Sequence, residues 1–333
     1  MSTPEPALLT AAQDGDAAAF ERLVEAYRRP LHAHCYRMLG SLQDAEDALQ
    51  ETLLSAWRGI GGFEGRSSLR SWLYRIATNA SLRLAERRPR RLLSPDRGPA
   101  WTDPQDLGTY AEDDPEWLDP YPGQASEDPA ESYERRENIE LAFVAALQKL
   151  PANQRAVLVL REVLQFSAAE VADALDTTVA SVNSALQRAR RTVDERIIAG
   201  TQASELQQLG AAGRKQLVAS FMSAWERSDV DALLDLLTAD ARFAMPPFPA
   251  WFHGKASIAR FLERSFTFTW RVRPAVANGQ LAAAFYRLDP ESGRYPLSVI
   301  NVLTLRDGRI AEMEAFLDPA THRWFGLPAE LEP

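Results

Sequence analysis

The sequence predicts a multidomain protein in which two all-α domains precede an α+β domain with a curved antiparallel sheet. Three observations support this fold class. Apolar residues recur at helical spacing in two separate stretches. A segment rich in proline and acid lies between those stretches. Four strand-like runs divided by turn signals follow the last amphipathic helices. A length of 333 residues agrees with several cores rather than one.

Composition restricts the class of protein before any motif is considered. A hydrophobic share of 46% with 25% charged residues is that of a soluble globular chain. We find no apolar run of membrane-spanning length and no secretory signal, and the single cysteine, Cys35, fits a reducing compartment. We therefore expect a cytoplasmic protein without a membrane partner. The four histidines and one cysteine lack metal-ligand spacing, and His32 and His34 are interpreted as structural, so no metal is expected. No cofactor and no catalytic residue are expected either.

The first predicted domain covers residues 7–93 and contains two helices of opposite charge. Apolar positions of the first helix recur every three or four residues from Ala45 to Ile60, while acids occupy the rest of its surface. After a glycine-rich break, the second helix points Leu69, Leu73 and Ile76 inward and arginines outward. Such a basic helix suits nucleic acid, because guanidinium groups neutralise phosphates. An ordinary solvated helix face explains the same pattern equally well.

The order of these residues resembles a known family. Two sequence motifs resemble region two of the extracytoplasmic-function (ECF) sigma factors of the sigma-70 family. They are Asp44-Ala-Glu-Asp-Ala-Leu-Gln-Glu and Phe63-x-Gly-Arg-Ser-Ser-Leu-Arg-Ser-Trp-Leu-Tyr-Arg. The resemblance implies that one face binds the clamp helices of the RNA polymerase β′ subunit, through Asp44, Glu46, Asp47, Gln50 and Glu51. It implies that a second face melts the minus-ten promoter element, through Arg66, Ser67, Arg70, Trp72, Arg75, Asn79, Arg83, Arg87 and Arg88.

Residues 94–132 are predicted to form an acidic, proline-rich linker without a core of its own. Between Ser94 and Glu134 there are twelve acids and one base, which accounts for the net charge of -9 on a chain with basic faces elsewhere. The acidic linker would either occupy those basic faces before DNA does or simply keep a spacer soluble.

A second helical domain is predicted over residues 133–198. Ser167 and Glu170 form a capping box that starts a short helix, and a turn at Asp176 leads into a longer helix from about Val179. A short helix, a tight turn and a longer helix with small polar and basic residues predict a helix-turn-helix, although a plain helical hairpin fits the pattern too.

Two motifs of this domain resemble sigma region four. They are Leu150-Pro-x-x-Gln-Arg-Ala-Val-Leu and Ser181-Val-Asn-Ser-Ala-Leu-Gln-Arg-Ala-Arg. The resemblance implies contact with the minus-thirty-five element and with the polymerase β flap. The DNA-binding residues implied are Thr178, Ser181, Asn183, Ser184, Gln187, Arg188 and Arg191. Asn183 and Ala185 occupy positions at which many relatives carry a basic residue, so the promoter preference of those relatives cannot be transferred to this sequence.

A further linker is predicted at 199–212, followed by an α+β domain over 213–333. Strand-like runs occupy Thr267–Val276, Gln280–Leu288, Tyr295–Leu305 and Arg309–Phe316, with turn signals such as Asn278-Gly279 between them. Helices followed by an antiparallel meander resemble the cone-shaped fold of SnoaL-like cyclases, nuclear transport factor two and ketosteroid isomerase. Together with the motifs that resemble sigma regions two and four, the motif from Met245 to Gly254 resembles the sigma-factor subfamily with a fused SnoaL-like domain.

Such cones usually enclose a pocket, so catalysis and regulation are both considered for this domain. The candidate pocket residues are Trp225, Met245, Trp251, His253, Tyr286, Asn301 and Glu314. General acid–base chemistry would need Glu314 or His253 inside that pocket, whereas regulation requires only a small-molecule ligand or a docking face. Fold does not decide between them.

Three functions fit the whole sequence. The first is a sigma factor that binds core RNA polymerase and directs initiation at particular promoters, with the SnoaL-like domain regulating it in cis. The second is a small-molecule isomerase or cyclase fused to DNA-binding domains. The third is a transcription factor that binds DNA without polymerase, and the acidic helix argues against it because such a factor needs no polymerase surface.

Overall fold

The computed structural model describes residues 5–104, 106–109, 117–123, 139–194 and 202–333. The described chain divides into two compact units. Among the described residues, the first unit comprises those up to Arg91 and those from Ala142 to Asp194. The second unit comprises Leu92–Leu141 and the chain from Ile198 to Pro333. The chain therefore passes from the first unit to the second, back to the first, and again to the second.

The elements are labelled in chain order. The helices are α1 (Glu5–Gln13), α2 (Ala17–Leu39), α3 (Leu42–Gly59), α4 (Leu69–Ala85), α5 (Ser94–Arg97), α6 (Leu141–Gln148), α7 (Ala152–Leu158), α8 (Ala168–Ala174), α9 (Val179–Asp194), α10 (Gln202–Glu226), α11 (Val230–Leu236), α12 (Lys255–Ser265) and α13 (Pro319–His322). The strands are β1 (Leu237–Ala244), β2 (Trp251–His253), β3 (Trp270–Ala277), β4 (Gln280–Arg287), β5 (Tyr295–Arg306), β6 (Arg309–Phe316) and β7 (Glu330–Leu331).

In the first unit, α1 to α4 form a helical bundle whose ends are defined by local sequence. The side chain of Asp16 caps α2, Ser41 caps α3 and Ser68 caps α4, each by accepting a hydrogen bond from a backbone amide of the first turn. Gly40 ends α2 in the left-handed conformation with a φ of 70°, which glycine adopts without strain. The predicted acidic and basic helices thus exist as α3 and α4.

The remaining helices of the first unit form the predicted helix-turn-helix. Ser167 and Glu170 make the capping box of α8, as predicted. Asp176, with a φ of 50°, turns the chain into α9, which buries Val182, Leu186 and Ala189. Between α7 and α8 the helix widens into a π-helical turn at Val159–Val163, a feature that the sequence pattern did not predict.

The second unit is built on a mixed sheet with the strand order β2-β1-β6-β5-β4-β3, to which β7 adds by pairing with β5. Strands β3 to β6 form the predicted antiparallel meander, and β1 joins it in parallel with β6. Helices α10 to α12 pack against one face, where Phe221, Trp225, Phe261, Phe285 and Leu303 form the apolar core. This arrangement confirms the predicted α+β domain.

The expected linkers differ from what the structure contains. Within residues 94–132, Trp101 and Leu107 pack against the apolar core of the sheet domain, and Trp117, Leu118 and Tyr121 are buried, so this part is not a free linker. The acids from Glu112 to Glu116 and from Glu127 to Glu134 lie outside the described residues. The segment expected as a linker at 199–212 begins α10 from Gln202 onward. Hydrophobic burial of long-range partners, which composition does not reveal, accounts for both differences.

No helix among the described residues is long and apolar enough to cross a membrane.

Candidate polymerase-binding and nucleic-acid surfaces

Helix α3 presents its acids in two distinct environments. Asp47, Gln50 and Glu51 fall one turn apart on a partly or fully exposed face, and the exposed Leu54 continues the same stripe. Gln43 donates to Asp47 at 3.1 Å, and Gln50 donates to Glu46 at 3.1 Å. Four of the five residues predicted to bind polymerase therefore remain at the surface, because Glu46 is also partly exposed.

Asp44 differs from the others because it is buried. Its relative exposure is 3%, and its carboxylate forms ion pairs with Arg91 and, at 3.3 Å, with Arg88. Arg91 is itself buried, so the pair fixes the chain that follows α4 against the start of α3. The structure therefore places Asp44 in the interior instead of on the predicted polymerase face, and it engages the predicted DNA contact Arg88 as a structural partner.

Helix α4 carries the residues predicted to bind the minus-ten element, and three of its side chains contact the helix-turn-helix. Arg70 donates from Nη2 to the carbonyl oxygen of Leu164 at 3.0 Å, and its guanidinium lies 4.5 Å from the ring centroid of Phe166. Ser71 donates to Glu170 at 3.2 Å. Further along, the guanidinium of Arg75 pairs with Asp173 at 3.2 Å. This part of the predicted DNA surface is engaged within the chain.

The other predicted contacts on and around α4 have varied surroundings. Trp72 is half-buried against Phe63, with ring centroids 5.1 Å apart. Arg83 lies 3.8 Å from Glu51 on α3. Asn79 is half-buried, whereas Ser67 and Arg87 are exposed, as is Arg66, which pairs with Glu64. The half-buried indole of Trp72 is a side chain of the kind on which an unstacked base stacks, and the exposed arginines are of the kind that contact phosphates.

Helix α9 presents the predicted recognition residues to solvent. Thr178 caps the helix by accepting from the amide of Ser181 at 3.1 Å. The exposed residues of α9 that were predicted to contact DNA are Ser181, Asn183, Ser184, Gln187, Arg188 and Arg191. Small side chains precede the arginines along the helix, so its amino-terminal end is the part that can approach base edges.

A contact between α2 and the α6–α7 segment was not predicted. Arg155 is buried at 5% exposure and donates to the carbonyl oxygens of Met38, Gln148 and Leu150 and to the side-chain oxygen of Gln148. Gln148 in turn donates to the carbonyl oxygen of Arg37. All these acceptors are neutral, and burial lowers the pKa of Arg155 to about 10. The motif word that contains Arg155 gave no indication of its burial.

The predicted pocket residues of the sheet domain divide between the two faces of the sheet. Cross-strand partners share a face and successive residues alternate. Asn301 lies opposite Ala283 and Ala315, which belong to the helix-covered core with Trp225 and Met245. Glu314 and Trp251 both lie opposite Ala244, so they occupy the other face. His253 lies two residues after Trp251 in β2 and therefore shares the face of Trp251 and Glu314. Tyr286 directly follows the core residue Phe285, so it also lies on the face away from the helices. The seven residues therefore do not line one pocket.

Glu314 is the most perturbed acid of this face. Its side chain is buried and its Oε2 has no hydrogen-bond partner among the described residues. Burial, and after it the charge of Glu312, raise the pKa of Glu314 well above its ordinary value, and Asp96 acts in the same direction. Burial thus favours the uncharged form of Glu314. His253, by contrast, is exposed.

The described residues of 92–123 and 139–141, here called the connector, bind the sheet domain along its length. Trp251 donates from its indole to the carbonyl of Gly98 and accepts from the amide of Trp101, both at 2.8 Å. Asn278 accepts from the amide of Tyr121 at 2.8 Å and donates to the carbonyl of Ile139 at 2.7 Å. Asn278 thus holds the connector on both sides of its undescribed stretch.

A cavity of about 600 Å³ adjoins the connector in the second unit. Its walls are mainly apolar and include Val218 and Met222 from α10 and Val276 from β3, and Lys215 and Gly123 are also among its lining residues. A Cβ on Gly123 would lie 2.5 Å from Val276, so only glycine allows the connector to approach this strand so closely. None of the predicted pocket residues lines this cavity.

Comparison with known proteins identifies the three parts of the chain. Residues 23–91 match Sigma-70 region 2, residues 140–193 match Sigma-70 region 4, and residues 218–313 match the SnoaL-like domain. The ECF RNA polymerase sigma factor SigG of Mycobacterium tuberculosis is 42% identical over 320 residues, covering 94% of this chain and 85% of that protein. The chain belongs to the ECF RNA polymerase sigma factors.

Two further relatives delimit the resemblance. The RNA polymerase sigma-H factor of Pseudomonas aeruginosa is 32% identical and covers 56% of this sigma factor and 91% of its own length. The crystal structure of the M. tuberculosis extracytoplasmic-function sigma factor SigJ covers 91% of this chain and 98% of its own, with a TM-score of 0.62 and 22% identity. That likeness shows the shared fold. As a member of this family, the present sigma factor is a transcription initiation factor that works with RNA polymerase.

Proposed function

We propose that this sigma factor binds core RNA polymerase through the exposed stripe of α3, namely Asp47, Gln50, Glu51 and Leu54. The stripe combines acidic side chains with an exposed apolar side chain on one helix face. Such a face is suited to bind another helix that carries basic side chains on both sides of an apolar stripe. The clamp helices of the β′ subunit and the β flap are the polymerase partners that the family resemblance implies. Because transcription is the work of this complex, the proposed location is the cytoplasm.

Promoter contact is divided between two basic surfaces of the first unit. The exposed face of α9 reads the upstream element in the major groove, and the surface around Trp72 captures an unstacked base downstream. The observation that carries this assignment is the joint presence, in one chain, of the α3 stripe and both nucleic-acid surfaces. A transcription factor independent of polymerase would not need the first of them.

The SnoaL-like domain acts in this proposal as a regulator in cis and has no catalytic role. Support comes from the connector, which joins the two sigma regions in the sequence and yet is hydrogen-bonded to the sheet domain by Asn278 and Trp251. The candidates for acid–base chemistry, Glu314 and His253, give little support to an enzyme, since Glu314 is buried, His253 is exposed, and neither lines the cavity beside Gly123. A small-molecule ligand would act through the cavity beside Gly123, because that residue belongs to the connector.

The test is run-off transcription with purified core polymerase on templates in which both promoter elements are randomised. The wild-type chain should bind core polymerase and enrich one promoter class. Asn278→Gly keeps the left-handed backbone at this position, whose φ is 54°, but removes two buried hydrogen bonds worth about 1 kcal/mol each. We expect it to change the yield of transcription without changing binding to core polymerase.

Asp307→Gly is the matched control, because Asp307 also has a φ of 54° and also precedes a glycine, but it lies exposed in another hairpin of the same sheet. Equal yields from wild type and both variants would refute regulation through the connector. Failure of the wild-type chain to bind core polymerase would refute the sigma assignment itself.

A further inference from the structure

Helix α8 faces the predicted minus-ten surface of α4 with two acids. Asp173 pairs with Arg75 at 3.2 Å, and Glu170 accepts from Ser71 at 3.2 Å. Hydrogen bonds from Ser167, together with the nearby Ser71 and Arg70, lower the pKa of Glu170, so this carboxylate is ionised at neutral pH. Two anionic groups one turn apart thus contact α4, one at Arg75, which the sequence assigns to DNA, and one at Ser71, which lies between the predicted contacts Arg70 and Trp72.

We propose that α8 is an intramolecular competitor of promoter DNA, in which Glu170 and Asp173 occupy on α4 the places that backbone phosphates take in the DNA complex. The inference rests on the proposed function, since it concerns the same minus-ten surface. It adds a regulatory partner for that surface, namely the first helix of this chain's own helix-turn-helix.

The contact of Arg70 extends the competition from phosphates to a base. Its guanidinium lies over the rings of Phe166 and Tyr74, at 4.5 and 5.2 Å from their centroids, and bonds to the carbonyl of Leu164. An aromatic face with an adjacent acceptor offers arginine the same stacking and hydrogen bonding as a nucleobase. The π-helical turn at Val159–Val163 and the left-handed Gln165 shape the segment that brings these groups to Arg70.

The contact is weak enough at its rim to be displaced. Arg75 and Asp173 keep 48% and 75% of their side chains exposed, and such a pair changes an equilibrium by a factor of only about 1.4 to 5. Phosphates of DNA compete for the same partly exposed groups of α4, so DNA shifts the balance between a closed form, with α8 on α4, and an open form.

The first experiment measures binding of the full chain to a fluorescein-labelled oligo(dT) of 20 nucleotides by fluorescence anisotropy. This probe reports phosphate and stacking contacts without requiring a known promoter. Glu170→Gln with Asp173→Asn removes both acids, and glutamine preserves the capping box of α8. We expect the dissociation constant to fall by about two-fold to 25-fold relative to a matched double variant.

The matched variant is Glu21→Gln with Glu25→Gln. It changes the net charge equally, and both acids are exposed on α2, where Glu25 pairs with Arg28 of the same helix instead of with α4. A gain confined to the α8 variant supports the competition. Equal gains in both variants, or none in either, overturn it.

A second experiment fixes the contact. Ser71→Cys with Glu170→Cys, joined by the cleavable dithiobismaleimidoethane, should lose binding to the probe and regain it when dithiothreitol opens the bridge. The native thiol does not interfere, because Cys35 is buried and burial raises its pKa to about 12. Absence of the cross-link, or unimpaired binding by the cross-linked chain, contradicts the proposal. These readouts need no polymerase, so they remain decisive if the assay with core polymerase fails.

Discussion

Asp44 and Asp47 lie one turn apart on α3 and should respond to the same substitution in opposite ways. Asp44→Asn removes the negative charge that faces the buried Arg91 and the half-exposed Arg88. Breaking a buried ion pair and leaving its partner uncompensated costs about 3–5 kcal/mol. For a unit of this size we expect a fall in Tm of roughly 6–20 °C. Asp47→Asn removes only a charge near the surface, because asparagine can still accept the hydrogen bond from Gln43, and it should leave Tm within about 2 °C.

Thermal unfolding followed by circular dichroism measures the first effect, and equilibrium binding to core polymerase at a temperature where both variants are folded measures the second. We expect Asp44→Asn to be unstable but competent in polymerase binding, and Asp47→Asn to be stable but weak in binding. An Asp44→Asn chain that melts like wild type and binds polymerase poorly would refute the structural role, and would return Asp44 to the polymerase surface.

Four further variants test the other assigned residues. Asp47→Arg with Glu51→Arg reverses the exposed stripe of α3 and should abolish measurable binding to core polymerase in a pull-down while circular dichroism stays unchanged; retained binding by the folded variant would remove this stripe from the interface. Arg188→Ala should weaken promoter binding for every sequence and reduce the slope of log K against log salt by about one, whereas Ser184→Ala should change which upstream element is selected; identical selections and slopes would exclude α9 as the reading helix. Glu314→Gln should abolish a pH dependence of the free energy of unfolding. In the wild type, above the ordinary pKa of 4.5, the carboxyl group of Glu314 loses its proton in the unfolded chain and keeps it in the folded chain. The free energy of unfolding of the wild type should therefore fall by about 1.4 kcal/mol per pH unit until the raised pKa is reached. Urea unfolding at pH 5 and pH 8 measures this difference, and equal slopes for both proteins would show that Glu314 is not a buried acid.

The sequence predicted most elements because their burial is periodic. Strand β6 has the predicted bounds, Arg309–Phe316, since apolar residues alternate there beside an Asp-Gly turn. The role of Asp44 was not predictable in the same way. It and Asp47 are equally acidic in the sequence, and only the return of the chain after α4 brings Arg91 to one of them.

The sheet domain shows a second limit. Alternation along one strand tells which residues share a face, but the register between strands decides whether residues of different strands do. Asn301 and Glu314 were grouped as pocket residues, and the pairing of Asn301 with Ala315 places them on opposite faces. The connector was missed because proline and acid dominate its composition, whereas its few aromatic residues decide its burial.

The connector has a consequence for how such a protein arises and is handled. Its residue Tyr121 is buried and hydrogen-bonded to Asn278 of the sheet domain, and its residue Trp101 packs against the apolar core of that domain. Appending that domain to a shorter ancestor, or deleting it from this chain, is therefore not a change at one terminus alone. Ancestral fusion would have required matching changes in the middle of the gene, and a shortened protein would expose an adhesive aromatic strip. Loss of solubility in such a protein would imitate loss of regulation.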